Sequence, residues 1–296
     1  MPLNAGVTDI ALARRLERAE GSSNAAFVES RALHQSEIGA VWRDVSGTMA
    51  MFDGVGSPLT QTFCLGLFAP CDATALDEME TFFAERGADT FHEVCPLSDT
   101  NALTLLPERG YRPIEQSSVL WQPLLAATAS AHCVSAQHAS AHDTSADAAS
   151  AHAASAPLVR RIDADEVSTW ADYSARGWCA TAELADFMRS FGAVTGSARG
   201  TSCFVAELDG AIIGTASLIV HDGVALLAGA STLPEFRGRG AQSVLLRARL
   251  SHAHAAGCDV AMMAALPGST SQTNAERQGF RIAYTRTKWQ RVYTSS

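Results

Sequence analysis

The chain has 296 residues, 47% of them apolar and 18% charged, with a formal net charge of −9. That length holds two domains with real cores, and the acidic balance argues against a general nucleic-acid binder, though not against a local basic pocket. No apolar run approaches 18 residues, the first residues lack a basic start and apolar core, and the seven scattered cysteines lack metal spacing, so a cytoplasmic protein with neither membrane partner nor metal is expected.

In chain order, the first clear element is the apolar run Thr62 to Phe68, which ends at Pro70 and enters a helix starting near Ala73. Leu106-Pro-Glu-Arg109-Gly110-Tyr111 then leads into a strand through Ser117 to Gln122. From Ala126 to Pro157 nearly every residue is Ala, Ser, His, Thr or Asp. Such a stretch buries too little apolar surface to offset its ordering entropy and reads as a flexible linker, its histidines solvated. Pro157 to Ile162 reads as a strand, and Asp163 or Asp165 caps a helix to about Arg176. Leu184, Phe187, Met188 and Phe191 give a second helix near Ala182 to Ser190. Strands Thr201 to Leu208 and Ala211 to Val220 join at the hairpin dipeptide Asp209-Gly210, and His221-Asp222-Gly223 turns into the strand Val224 to Thr232.

The run Phe236-Arg237-Gly238-Arg239-Gly240-Ala241-Gln242-Ser243 comes next, ahead of an amphipathic helix. Glycines permit a tight turn, and the first N–H groups of the helix have no intrahelical partner, so with the macrodipole and two guanidinium groups the loop is a cradle for a pyrophosphate. A Walker-type loop would need a Lys-Ser/Thr pair, but the chain's only lysine is Lys288. A dinucleotide fingerprint finds an acid at Asp259, yet this residue opens its strand (Cys258 to Ala264) instead of closing one.

Arginine, two residues, glycine, then helix, with Pro234 just before and Gly279-Phe280 downstream, resembles the coenzyme A loop and final helix of the GNAT superfamily of N-acetyltransferases. The resemblance spans about Pro157 to Arg291. It implies an α+β fold in which a mixed, mostly antiparallel twisted sheet is flanked by helices, with acetyl-CoA as co-substrate. It also implies that Ala230, Ser231 and Thr232 pair with the pantetheine arm on a splayed strand, that Arg237, Gly238, Arg239, Gly240, Ala241, Gln242 and Ser243 hold the pyrophosphate, and that Asn274 bonds the coenzyme. Gly229 marks either the bulge that causes the splay or a close packing beneath a helix. The family has Gly or Ala where this chain has Gln242, whose side chain is expected to turn outward. It often has a tyrosine acid where this chain has Ala275, and Tyr284 is expected to pack in the sheet. Glu207 and His221 are conceivable bases, each with a plain surface alternative, so no catalytic residue is assigned.

The segments around Gly110-Tyr111 and Gly279-Phe280, and those around Pro70 and Pro234, run parallel, which reads as an ancestral duplication. The expected organisation is two GNAT-like domains: residues 1–125 degenerate, 126–156 linker, 157–296 coenzyme-binding. Aligning Pro70 with Pro234 puts acidic Ala73 to Glu78 where the glycines and arginines sit, and Asp77, Glu78, Glu80 and Glu85 would repel a polyanion. Arg247 and Arg249 read as solvated helix positions, and Trp42, Trp121, Trp170, Trp178 and Trp289 as core or interface anchors. The expected activity is acetyl transfer to a primary amine of a small molecule or peptide. The alternative is a non-catalytic acyl-CoA-binding module.

Overall fold

The computed structural model describes residues 8–124, 156–178 and 181–292; the linker expected at 126–156 lies almost entirely outside them. In chain order the first half comprises α1 (Ile10–His34), β1 (Val41–Val45), β2 (Thr48–Phe52), β3 (Gln61–Phe63), α2 (Ala73–Ala84), β4 (Thr90–Val94), α3 (Asn101–Glu108) and β5 (Arg112–Pro123). The second comprises β6 (Leu158–Arg161), α4 (Val167–Trp178), α5 (Ala182–Ser197), β7 (Thr201–Leu208), β8 (Ala211–His221), β9 (Val224–Thr232), α6 (Ala241–Ala255), β10 (Val260–Ala265), α7 (Thr270–Arg277) and β11 (Arg281–Arg291). The mixed, mostly antiparallel sheet flanked by helices is the fold class the sequence implied.

The two half-sheets run together. The eleven strands of the described residues form one sheet in the order β1-β2-β3-β4-β11-β5-β10-β9-β8-β7-β6. Each half gives its last strand to the other: β5 pairs with β10, β11 pairs with β4, and the two exchanged strands pair with one another. The halves correspond in detail. Tyr111 and Phe280 both follow a glycine at positive φ, both are buried, and both donate their N–H to the carbonyl five residues back, at Leu106 and Ala275. The glycine supplies the left-handed helix end that a side chain resists, and the aromatic then enters the core.

Local chemistry accounts for most element ends. Asp163 and Glu166 form a reciprocal capping box ahead of α4, and Thr181 caps α5, which continues to Ser197, beyond the expected Ser190. The run Thr62 to Phe68 is not a full strand. It pairs only from Gln61 to Phe63, then turns at Cys64 and Gly66, both at positive φ. Helix α1, which the sequence reading assigned no element, is capped by Asp9 and packs Leu12 and Leu16 into a core with Val224, Leu226, Val260 and Met262 of the second half. Among the expected anchors, Trp121 and Trp170 are buried, and Trp289 packs on the first half's core.

At the strand exchange a charged cluster is sealed in. Arg286 of β11 donates to both carboxylate oxygens of Glu20 (2.7 and 2.8 Å) and lies 3.1 Å from Glu93 and 3.5 Å from Glu17, while the Tyr284 hydroxyl donates to Glu17 at 2.9 Å. Tyr284 thus packs in the sheet as expected. Burial, reinforced by Glu20 and opposed by Arg286, pushes the Glu17 carboxyl up to about 7. The folded state therefore holds this proton more tightly than the unfolded chain. The associated stability is complete below the ordinary 4.5 and is lost as pH rises to about 7. Glu17→Gln, which keeps an acceptor for Tyr284, is expected to match the parent in Tm near pH 4.5. At pH 8 it should exceed the parent by about 3 kcal/mol, or roughly 10 °C. Equal Tm at pH 8 would show that Glu17 ionises without cost.

Candidate functional site

Strands β9 and β10 are parallel and pair only from Val224↔Val260 to Leu226↔Met262. Beyond that they part, and β10 continues along β5. On its other side β9 slips register against β8 between Thr215 and Ser217, where Gly229 sits at φ +58°. A Cβ there would be 3.1 Å from Ser217 Oγ, so the bulge reading of Gly229 holds. The sequence made this splay by placing a residue that tolerates left-handed backbone inside an otherwise apolar strand.

A cleft of about 490 Å³ opens at the splay. Its lining includes Ala230, Ser231 and Thr232 from the end of β9, Arg237, Gly238, Gly240, Ala241, Gln242 and Ser243 from the loop and first turn of α6, and Asn274 from α7. Ten of the eleven residues singled out in sequence therefore meet around one space. Arg239 stands apart from the lining, its guanidinium 5.4 Å from the centre of the Phe236 ring. Gly238 and Gly240 have φ of +79° and +82°, and a Cβ on either would project into open space, so no protein atom requires their smallness. What requires it is the turn, which presents the start of α6 to the cleft.

That helix start is left open. Its N-cap is Gly240, with no side chain to accept from the first turn. Arg237 is exposed and donates to the Gly177 carbonyl at 3.3 Å, and neither Arg237 nor Arg239 forms an ion pair among the described residues. Open N–H groups, the positive end of a helix dipole and an unneutralised guanidinium together suit a polyanion. The equivalent place in the first half is closed. Asp72 caps α2 with its own carboxylate on Ala75 N–H at 2.8 Å. The chain after β3 bonds to itself, Leu67 N–H to Cys64 O and Asp99 N–H to Gly66 O. Cys71 N–H is taken by Asp99, and Arg109 binds Asp77 and Glu80.

Three expectations are corrected here. Gln242 does not turn outward. Its amide donates to Thr232 Oγ1 at 2.7 Å and ties the first turn of α6 to the end of β9. Arg249 is not solvated: it is 4% exposed, with Nη1 donating to the carbonyls of Ser217 and Ala228 and Nε to that of Leu245. The register slip leaves carbonyls turned off the ladder, and this guanidinium reaches them from α6. Its spacing within the helix could have signalled burial, since it follows Leu245 by four. Trp178 is 53% exposed and lines the cleft, so it is no core anchor. Trp42, by contrast, is half-buried, packs on the core formed with Met49, Met51 and Phe63 as expected of an anchor, and donates to Glu29.

The conceivable bases lie elsewhere. Glu207 is paired with Arg160 at 2.9 Å, and His221 borders a different hollow with Trp42 and Arg199 at the far end of β8. The described lining of the cleft contains no carboxylate or imidazole. Asp259, the near-match for a dinucleotide site, forms an ion pair with Arg15 of α1. The five described cysteines are buried free thiols, and no helix among the described residues is long and apolar enough to cross a membrane.

The profile of the acetyltransferase (GNAT) family matches residues 166–280. Among solved structures, a GCN5-related N-acetyltransferase from Kribbella flavida is similar over 91% of this chain and 96% of its own, at 16% identity and a TM-score of 0.59. A tandem GNAT protein from the clavulanic acid biosynthesis pathway is similar over 82% of this chain and 78% of its own, at 15% identity and a TM-score of 0.54. No curated protein matches the sequence. At these identities the solved structures speak for the fold, which is the one built above strand by strand, and residues 166–280, carrying the splay, the open helix start and the Gly-Phe turn, are the part of the chain that matches the acetyltransferase (GNAT) family profile.

Proposed function

We propose that the chain transfers an acetyl group from acetyl-CoA to a primary amine of a small molecule or peptide, and that its second half alone holds the coenzyme. One observation carries this reading: the uncapped start of α6 borders the same cleft as the end of β9, which pairs with β8 on one side but is left by β10 on the other. The residues present fit the coenzyme. The N–H groups of Ala241, Gln242 and Ser243 with Arg237 would hold the pyrophosphate, and the end of β9 would pair with the pantetheine amides as an added strand does. Acetyl-CoA supplies an activated acyl carbon: the amine forms the C–N bond, the C–S bond breaks, and the proton shed by nitrogen ends on the thiolate.

Free N–H groups near Ser231 and Thr232 would steady the negative charge that develops on the carbonyl oxygen. Ser231 is buried and hydrogen-bonded to Thr215 Oγ1 at 2.9 Å, which fixes that strand end from below. Gly177 at the end of α4 lies against it, so close that a Cβ there would overlap Ser231. With no acid or base in the described lining, the amine's proton leaves through water. We further propose that the first half is a duplicated copy whose coenzyme slot is filled by its own backbone and by Asp72, and which now serves to lend β5 to the working sheet.

A second reading, a module that holds acyl-CoA without transferring the acyl group, draws on the lack of a carboxylate or imidazole in the described lining. The two separate in a screen of amines scored by thiol release from acetyl-CoA. Release that depends on both amine and Arg237 is the expected outcome. Binding without release for every amine class would favour the module.

A further inference from the structure

Behind the cleft lies a second cavity of about 230 Å³, between α6 and α7. It is continuous with the cleft, since Trp178, Ala230, Gln242, Ser243, Thr270 and Asn274 border both. Its lining beyond those shared residues includes Arg249, Met263 and Gln278. Arg249 is nearly fully buried, yet no carboxylate pairs with it among the described residues. Three backbone carbonyls take its Nε and Nη1 hydrogens, Nη2 has no hydrogen bond among the described residues, and the side chain as a whole borders the cavity. A strut for the bulge alone would need no charge, because neutral donors satisfy carbonyls without the desolvation that a buried cation incurs. Desolvation here is large enough to bring the guanidinium down to about 10.

Position says which part of a ligand would meet it. Arg249 lies nine residues beyond Gly240 on the same helix, or about 13 Å along its axis at the helical rise. An arm anchored by its pyrophosphate at the start of α6 and paired with β9 brings its thioester end to that depth. Arg249 Nη1 is 3.2 Å from the carbonyl of Ala228, on the splayed part of β9.

Building on the acyltransferase reading, we propose that the same site accepts, beside acetyl-CoA and more tightly than it, a coenzyme A thioester whose acyl group ends in a carboxylate, malonyl or succinyl in size, with that carboxylate paired to Arg249 in the second cavity. The bonds made and broken at the thioester are those already given. The remote carboxylate takes no part in them and passes to the amine with the acyl chain. An anion there supplies the missing countercharge and a charge-assisted hydrogen-bond acceptor for the guanidinium.

The test compares isosteres by calorimetry on the full chain: malonyl-CoA against 3-methylbutanoyl-CoA, and succinyl-CoA against 4-methylpentanoyl-CoA, where an isopropyl end replaces the carboxylate. At least one acidic thioester is expected to bind tenfold or more tightly than its isostere. Arg249→Met should erase the difference, and Arg249→Lys should keep part of it. Equal binding within both pairs in the parent protein, with acetyl-CoA still bound, would overturn this proposal alone and leave Arg249 a strut. That result stands even if Arg249→Met fails to fold. Failure of every thioester to bind would overturn the acyltransferase reading and this one with it.

Discussion

Gly240→Trp is expected to abolish measurable acetyl-CoA binding, raising Kd at least a hundredfold, while the parent chain titrates with one site. Three costs combine. The residue sits at φ +82°, where a side chain costs about 1–2 kcal/mol. The indole would fill the open space in front of the first turn of α6 and cover the N–H groups there. It would also crowd Arg237 on the other side of the loop. Removing Arg237 alone costs one charge-assisted hydrogen bond, about 1.5–3 kcal/mol, or roughly a ten- to hundredfold weakening. Stability should fall only by the backbone term, because no protein atom lies within 4 Å of the new Cβ. Unchanged binding in Gly240→Trp would remove the loop from the coenzyme site, and two sites per chain in the parent would refute the closed first half.

The largest loss of stability is expected from Arg286→Met. It strands Glu17, Glu20 and Glu93 around an apolar side chain in the middle of the sheet. Burial by itself lowers the pKa of this arginine, but Glu20, Glu17 and Glu93 outweigh it and hold the guanidinium charged. Removing one member of a buried ionic cluster costs about 3–5 kcal/mol, since the remaining charges lose their compensation. At ~2–4 °C per kcal/mol the fall in Tm is roughly 10 °C. Adding Glu20→Gln and Glu93→Gln to Arg286→Met should restore much of this, as should lowering the pH toward 4.5. A fall in Tm under 2 °C, or no recovery in the triple variant, would mean that the cluster does not bind the halves together. The position matters because Arg286 lies on the strand that the second half lends to the first.

How much was legible in sequence follows from the range of the forces involved. The loop from Arg237 to Ser243 could be read directly, because its chemistry lies in consecutive residues: glycines that turn, and a helix start that nothing caps. The hairpin at Asp209-Gly210, the capping residue Asp163 and the Gly-Phe turn are local in the same way. The absence of the glycines and arginines after Pro70 was equally local, and at that place the structure has Asp72 capping α2 with its own carboxylate.

The failures share the opposite property. Arg249 reads as a surface residue because composition gives arginine to solvent, and only the register slip of β9 against β8 supplies the carbonyls that draw it inside. Gln242 turns inward because Thr232, ten residues back, stands at the end of a strand packed beside the helix. Trp178 lies at the cleft because α4 ends there. The exchange of β5 and β11 is invisible to any local pattern, since either strand would satisfy its hydrogen bonds equally well in its own half. What the residues determine alone is therefore the second half's likeness to the acetyltransferase (GNAT) profile, its elements and the open start of α6. What the tertiary structure decided is one continuous sheet in place of two, a charged cluster sealed at its centre, and an arginine set behind the cleft, all of them products of contacts between residues far apart in the chain.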